Sequence, residues 1–157
     1  MCSRGIIVPR LLAHQLLSNA LDAAEAIDAR CFKPFRLVLV HGFTVYVVTS
    51  DGHRLATMIS RMAGPLLFTS SSLGDALVEG PRRRLFEQLV MKDESAWLRG
   101  QVLFHRHQWT ARTDISVRME RPDARTVSRT VIDVSSHAVD LSYEPLAAKK
   151  PLVIRAA

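Results

Sequence analysis

Two periodicities alternate along the chain. Residues 5–8 (Gly-Ile-Ile-Val) form a short apolar run that predicts a strand, and Pro9 suits the first turn of a helix, where its missing N–H costs nothing. From residue 10 to about residue 30 the period becomes helical. Leu12, Leu16, Ala20, Ala24 and Ile27 fall on one face, and His14, Gln15, Ser18, Asp22 and Glu25 on the other. Lys33-Pro34 ends that pattern, because a residue before proline is pushed out of the α region. Three strands are then expected at residues 35–40, 43–49 and 54–59, rich in β-branched and aromatic side chains. His41-Gly42 and Ser50-Asp51-Gly52 are the turns between them.

The order then starts again. Residues 66–68 (Leu-Leu-Phe) predict a short strand, and Thr69 with Ser70 to Ser72 offers helix caps. Leu73, Ala76, Leu77, Leu85, Phe86, Leu89 and Val90 predict helix to about Met91, broken at Gly80-Pro81. Strands are expected again at 97–104, 108–119 and 126–134. In the middle one Ile115, Val117 and Met119 alternate with Ser116, Arg118 and Glu120. The pattern is thus β-α-β-β-β twice, at a spacing of roughly 60 residues. It predicts an α+β fold with two helices packed on antiparallel sheet, as one domain over residues 1–141. Residues 142–157, with two prolines, are expected to be a tail or a late edge strand.

Composition narrows the class. The chain has 157 residues, 48% hydrophobic and 23% charged, which fits a folded domain and argues against disorder. No apolar run approaches the ~20 residues of a membrane span. The start of the chain lacks the pattern of a secretory signal, and Cys2 and Cys31 make neither a metal spacing nor a disulfide framework. A cytoplasmic protein with reduced cysteines and no cofactor is expected. The net charge of +6 leans toward anionic partners. Residues 1–60 hold six basic and four acidic groups, and residues 61–157 fifteen and eleven, so most of the excess lies in the later part.

The segment Val47-Val48-Thr49-Ser50-Asp51-Gly52-His53-Arg54-Leu55-Ala56 resembles the T-D-G-H-R-L-A signature in the middle domain of the bacterial DNA polymerase III β subunit, the sliding clamp. Ile7-Val8-Pro9 before an amphipathic helix, then Arg30 and a strand pair, resemble the start of that domain at nearly the same spacing. The likeness covers roughly residues 5–60. Beyond them it rests on the order of elements, which matches the two β-α-β-β-β units of a clamp domain. Clamp subunits carry three such domains and close in pairs around duplex DNA. A chain with room for one domain would need about six copies for a ring, or is a single-domain relative that never closes.

The resemblance implies a non-catalytic protein of DNA replication or repair. In the family this loop lines a pocket for short peptides of polymerases and other partners. Carried over, Ser50, Gly52, His53, Arg54 and Leu55 form part of such a pocket. The family has Thr where Ser50 stands, and half of its pocket comes from a following domain. Replication or repair proteins are the implied partners. Duplex DNA and a second copy of the chain are left open, the latter because unpaired sheet edges are adhesive.

The remaining chemistry is weighed against bland alternatives. Arg82-Arg83-Arg84 is the one dense basic cluster and the candidate DNA contact, against a solvated loop after Gly80-Pro81. Aromatic residues of the kind that stack on bases are not interleaved with it. The first helix is neutral to acidic on its polar face, which counts against a DNA-facing surface there. His105 and His107 share a face if they lie on a strand, and with Asp114 could approach a zinc site, but no third ligand is identifiable, so no metal is assigned. Asp51 and His53 could be pictured as an acid–base pair, yet no nucleophile or phosphate loop accompanies them. Trp97 and Trp109 are expected in the core or on a sheet face. The alternative function is a small basic DNA-binding or regulatory protein that uses Arg82 to Arg84 on an unrelated α+β scaffold.

Overall fold

The computed structural model describes residues 1–146 and 152–156. The chain is α+β, with two three-stranded antiparallel sheets and four α-helices among the described residues. It divides into two compact units, Met1–Gly64 and Pro65–Ala157. No helix among the described residues is long and apolar enough to cross a membrane.

In the first unit the expected strand at residues 5–8 is helical instead. Ser3 Oγ accepts from Gly5 N–H and starts a short 3-10 turn, which runs into α1 (Ile7–Leu12). Pro9 sits in the first turn of α1, where the helix has no bond for its nitrogen to make. The single helix expected over 10–30 is two, with α2 spanning Leu17–Glu25 and an extended residue, Leu16, before it. Phase explains the break. At 100° per residue, Leu11 and Ala20 would lie half a turn apart on one continuous helix. Interrupting the helix lets Ile7 and Leu11 of α1 and Ala24 of α2 share one core with Phe32, Leu37 and Val48. Leu12 and Leu16, assigned by periodicity to the buried face, are exposed.

The meander follows as expected: β1 (Phe35–His41), β2 (Thr44–Ser50) and β3 (Leu55–Arg61), in the order β1-β2-β3. The register pairs Leu37 with Val48 and Ser50 with Leu55. That places Leu37, Leu39, Val48 and Leu55 on the face that packs with α1 and α2. Gly42 takes the left-handed conformation that the tight β1–β2 turn requires.

In the second unit residues 66–68 are irregular, not a strand, although Leu67 packs on the core. Helix α3 (Asp75–Phe86) runs through Gly80-Pro81 without a break and continues as a π-helical turn, Glu87–Met91. Glycine before proline removes the Cβ that normally clashes with the proline ring, so the helix survives with one lost hydrogen bond. Gly74, not a serine, stands at the N-cap, and Ser71 closes the turn before it. The strand expected at 97–104 is helix α4 (Trp97–Arg106). Its buried residues are Gly100 and Phe104, four apart, a helical repeat within a run that periodicity reads as sheet. The strand expected at 108–119 is a loop, closed by an isolated bridge between Glu120 and Arg125. Leu85, Val90 and Phe104 form the core, with Trp97 and Trp109 packed against it.

A second meander completes the unit: β4 (Ser128–Val134), β5 (Val139–Pro145) and β6 (Leu152–Ala156), in the order β4-β5-β6. The expected boundary between residues 141 and 142 falls inside β5, and β6 is an edge strand. The rest of that segment, residues 147–151 and 157, lies outside the described residues. Each unit is therefore helical first and a three-stranded meander second, with no opening strand among the described residues.

Candidate functional site

The Ser50–Leu55 turn connects β2 to β3 and is held by its own side chains. The Asp51 carboxylate accepts from His53 N–H at 2.7 Å and Arg54 N–H at 2.8 Å. Asp51 N–H donates to Arg54 O at 3.3 Å, and Ser50 Oγ accepts from Gly52 N–H at 3.1 Å. Gly52 has φ +93°, a conformation other residues rarely hold. The backbone N–H groups of Arg54 and then His53 hold the Asp51 carboxyl below its ordinary value. That carboxylate is occupied by the turn, which accounts for Asp51 without a proton-transfer role.

The five residues expected to line a peptide pocket divide. His53 and Arg54 are exposed, and Gly52 is half-exposed beside them. Ser50 is buried, and Leu55 packs on the first core. The turn thus offers an imidazole and a guanidinium, with Gly52 packed beside Pro34 and Leu55 supporting them from beneath.

The arginine cluster divides as well. It lies on α3, not in a loop, and successive helical residues point about 100° apart. Arg82 turns inward: Nε donates to Ile115 O at 3.0 Å, Nη2 to Ser116 O at 2.9 Å, and Nη1 to Thr69 Oγ1 at 2.7 Å and to Ser70 O at 3.3 Å. Burial lowers its pKa, but a guanidinium remains charged. Arg83 pairs with Glu79 one turn earlier at 2.7 Å. Arg84 makes no ion pair among the described residues and lines a cleft of about 400 Å³.

That cleft holds residues the sequence reading missed. Arg84 of α3 and Gln88 of the π-helical turn that continues it line the cleft with Trp109, Thr110 and Arg112 from the loop after α4, over a floor that includes Leu85 and Ile115. The loop is pinned from within. Ser116 is fully buried, its Oγ accepting from Trp109 N–H at 2.8 Å and donating to Arg112 O at 2.9 Å. Arg82, through the carbonyls of Ile115 and Ser116, ties the same loop to α3. An aromatic residue does accompany the basic cluster, but through tertiary contact. The run Trp109-Thr110-Ala111-Arg112 was the available signal, and nothing local joins it to Arg84.

His105 and His107 do not share a strand face. His105 is in the last turn of α4 and His107 just beyond it, its ring 5.0 Å from that of Trp109. Partial burial, and then the charge of Arg129, lower the His105 pKa. No three His, Cys, Asp or Glu side chains converge as a metal site among the described residues. No family model matches the chain, and no curated protein and no solved structure matches it.

Proposed function

We propose that the chain is a non-catalytic, sliding-clamp-like protein of DNA replication or repair that presents its Ser50–Leu55 turn to short peptides of partner proteins. One observation carries the reading. The turn joins antiparallel neighbours in a sheet backed by two helices, and its internal hydrogen bonds leave His53 and Arg54 exposed. A prepaid backbone conformation of this kind lowers the ordering cost of binding a peptide. The test is fluorescence polarisation with a labelled clamp-binding peptide of a bacterial replicative polymerase. His53→Ala and Arg54→Ala, both exposed, are expected to weaken binding about tenfold each (about 1.4 kcal/mol) while leaving the fold intact. Wild-type-like binding by both variants, or none by the wild type, refutes it.

A second copy of the chain belongs to the same proposal. On one face of the second sheet Ile132, Leu141 and Ile154 are register neighbours, flanked by Val134, Val139 and Tyr143. Ile132 is 59% and Val134 69% exposed. These positions carry no charge, so the face complements itself. Light scattering is expected to show an oligomer that Ile132→Asp converts to monomer. A wild-type monomer removes the ring version.

The alternative, a small basic DNA-binding or regulatory protein on an unrelated scaffold, is favoured by Arg84 of α3, which makes no ion pair among the described residues. Salt-dependent binding to a short linear duplex, from which a topological clamp slides off, favours that alternative.

A further inference from the structure

We propose that the cleft between α3 and the loop after α4 binds single-stranded nucleic acid, with Arg84 and Arg112 on the phosphates and Trp109 against a base. The cleft belongs to the second unit and owes nothing to the Ser50–Leu55 turn, so either activity can fail without the other.

Charge comes first. The residues lining the cleft include two arginines, Arg84 and Arg112, and no acidic residue, and neither arginine has an ion-pair partner among the described residues. Its neighbours on the helix are already committed, Arg82 to the loop and Arg83 to Glu79. Two uncompensated cations in one concavity call for an anion, and guanidinium groups suit phosphate through paired donors.

The walls narrow the anion to one bearing a flat ring. Trp109, half-buried above the buried Leu85 and Ile115, is the aromatic side chain among the lining residues, and its exposed part is where a base can stack whatever its identity. Gln88 and Thr110 add neutral donors and acceptors for base edges or sugar hydroxyls. A volume of about 400 Å³ falls within the range of small-ligand sites and admits one or two nucleotide units, not the width of a duplex. In a duplex the base faces are stacked on one another, so the Trp109 wall would have nothing to receive.

Rigidity makes the site more than a crease. The Ser116 hydroxyl fixes the backbone at Trp109 and Arg112 from inside the loop, and Arg82 anchors Ile115 and Ser116 to α3. The ligand-facing side chains come from both ends of that brace, so the cleft exists before anything binds. Preformed sites hold a ligand with less loss of freedom.

The experiment uses the full chain and a fluorescein-labelled twenty-nucleotide oligothymidylate, followed by anisotropy over a salt series. Wild type is expected to bind with affinity that falls as salt rises. The Arg84→Ala/Arg112→Ala double variant should bind at least tenfold more weakly and lose about 1.4 from the salt slope, about 0.7 for each phosphate contact removed. Trp109→Leu, which keeps an apolar side chain in the core, should weaken binding about tenfold with an unchanged slope. Arg83→Ala is the control and should bind as wild type does. A matched duplex, thymidine monophosphate and poly-glutamate serve as competitors, each expected to compete much less well than unlabelled oligothymidylate. The proposal is overturned if the wild type does not bind, or if the double variant keeps wild-type affinity and slope. Arg83→Ala weakening binding as much as the double variant also overturns it. So does equal competition by duplex, which makes the base contact irrelevant, by the mononucleotide, which makes the strand irrelevant, or by poly-glutamate, which reduces the cleft to a general anion sink.

Discussion

Gly100→Ala tests the packing that holds the second unit together. Gly100 is buried in α4, and a Cβ there would overlap the Leu89 carbonyl oxygen outright while standing 2.9 Å from its carbon and 3.0 Å from Val90 Cα. The obstacle is backbone, so no side-chain rotation relieves it. To regain van der Waals separation α4 has to withdraw from the π-helical turn by ~1 Å or more. The core that spans this contact is Leu85, Val90 and Phe104. At ~2 kcal/mol for each buried side chain, with about half of the contact energy forfeited at such a gap, the loss is ~3 kcal/mol. Alanine's better helix propensity returns ~1 kcal/mol. The net destabilisation is therefore about 2 kcal/mol, or roughly 8–16 °C in Tm for a unit of this size. Both tryptophans, Trp97 and Trp109, lie in the second unit, so their fluorescence follows its unfolding selectively. Gln101→Ala, on the exposed side of the same helix, is the control and stays within about 0.5 kcal/mol of wild type. A Gly100→Ala protein melting at or above the wild-type temperature would show that the close approach is not a constraint.

Other expectations rest on single groups. Ser116→Ala leaves the partly buried N–H at Trp109 and the Arg112 carbonyl short of a partner, and is expected to destabilise the second unit by about 1–2 kcal/mol in the same assay. Asp51 has its pKa below 3.8 in the folded state, so its contribution is present above that value and disappears as pH falls through the depressed pKa. Carboxyl chemical shifts titrated by NMR should show that midpoint, and Asp51→Ala should lose the corresponding acid sensitivity of the first unit. A midpoint at or above 3.8 contradicts the turn geometry. His105 is also depressed, from 6.5, but with the opposite charge sense: the folded state resists protonation, so stability rises with pH between the lowered value and 6.5. A urea-denaturation series across that window should show the slope in wild type and its loss in His105→Gln.

Local pattern was sufficient for the first sheet. In β1 to β3 the side chains themselves impose the pairing, because a slip of one residue would put Leu37, Val48 and Leu55 on the wrong face. The Asp51-Gly52 turn was equally legible, since a carboxylate over two following N–H groups and a positive φ at glycine are properties of adjacent residues. What surrounds those elements needed the third dimension. Helical periodicity cannot report that a helix must be cut between Leu12 and Leu17 so that Leu11 and Ala24 reach one core. Nor does the apolar run at 97–104 announce a helix, because the deciding fact is the backbone of Leu89 and Val90 lying against Gly100. The basic cluster shows the difference most plainly. Three consecutive arginines are identical in the sequence, yet long-range partners make Arg82 a brace, a neighbour one helical turn away occupies Arg83, and only Arg84 is left beside Trp109 and Arg112. Residue type is a local property. Whether a charge is free to meet a ligand depends on what the rest of the chain has already brought to it.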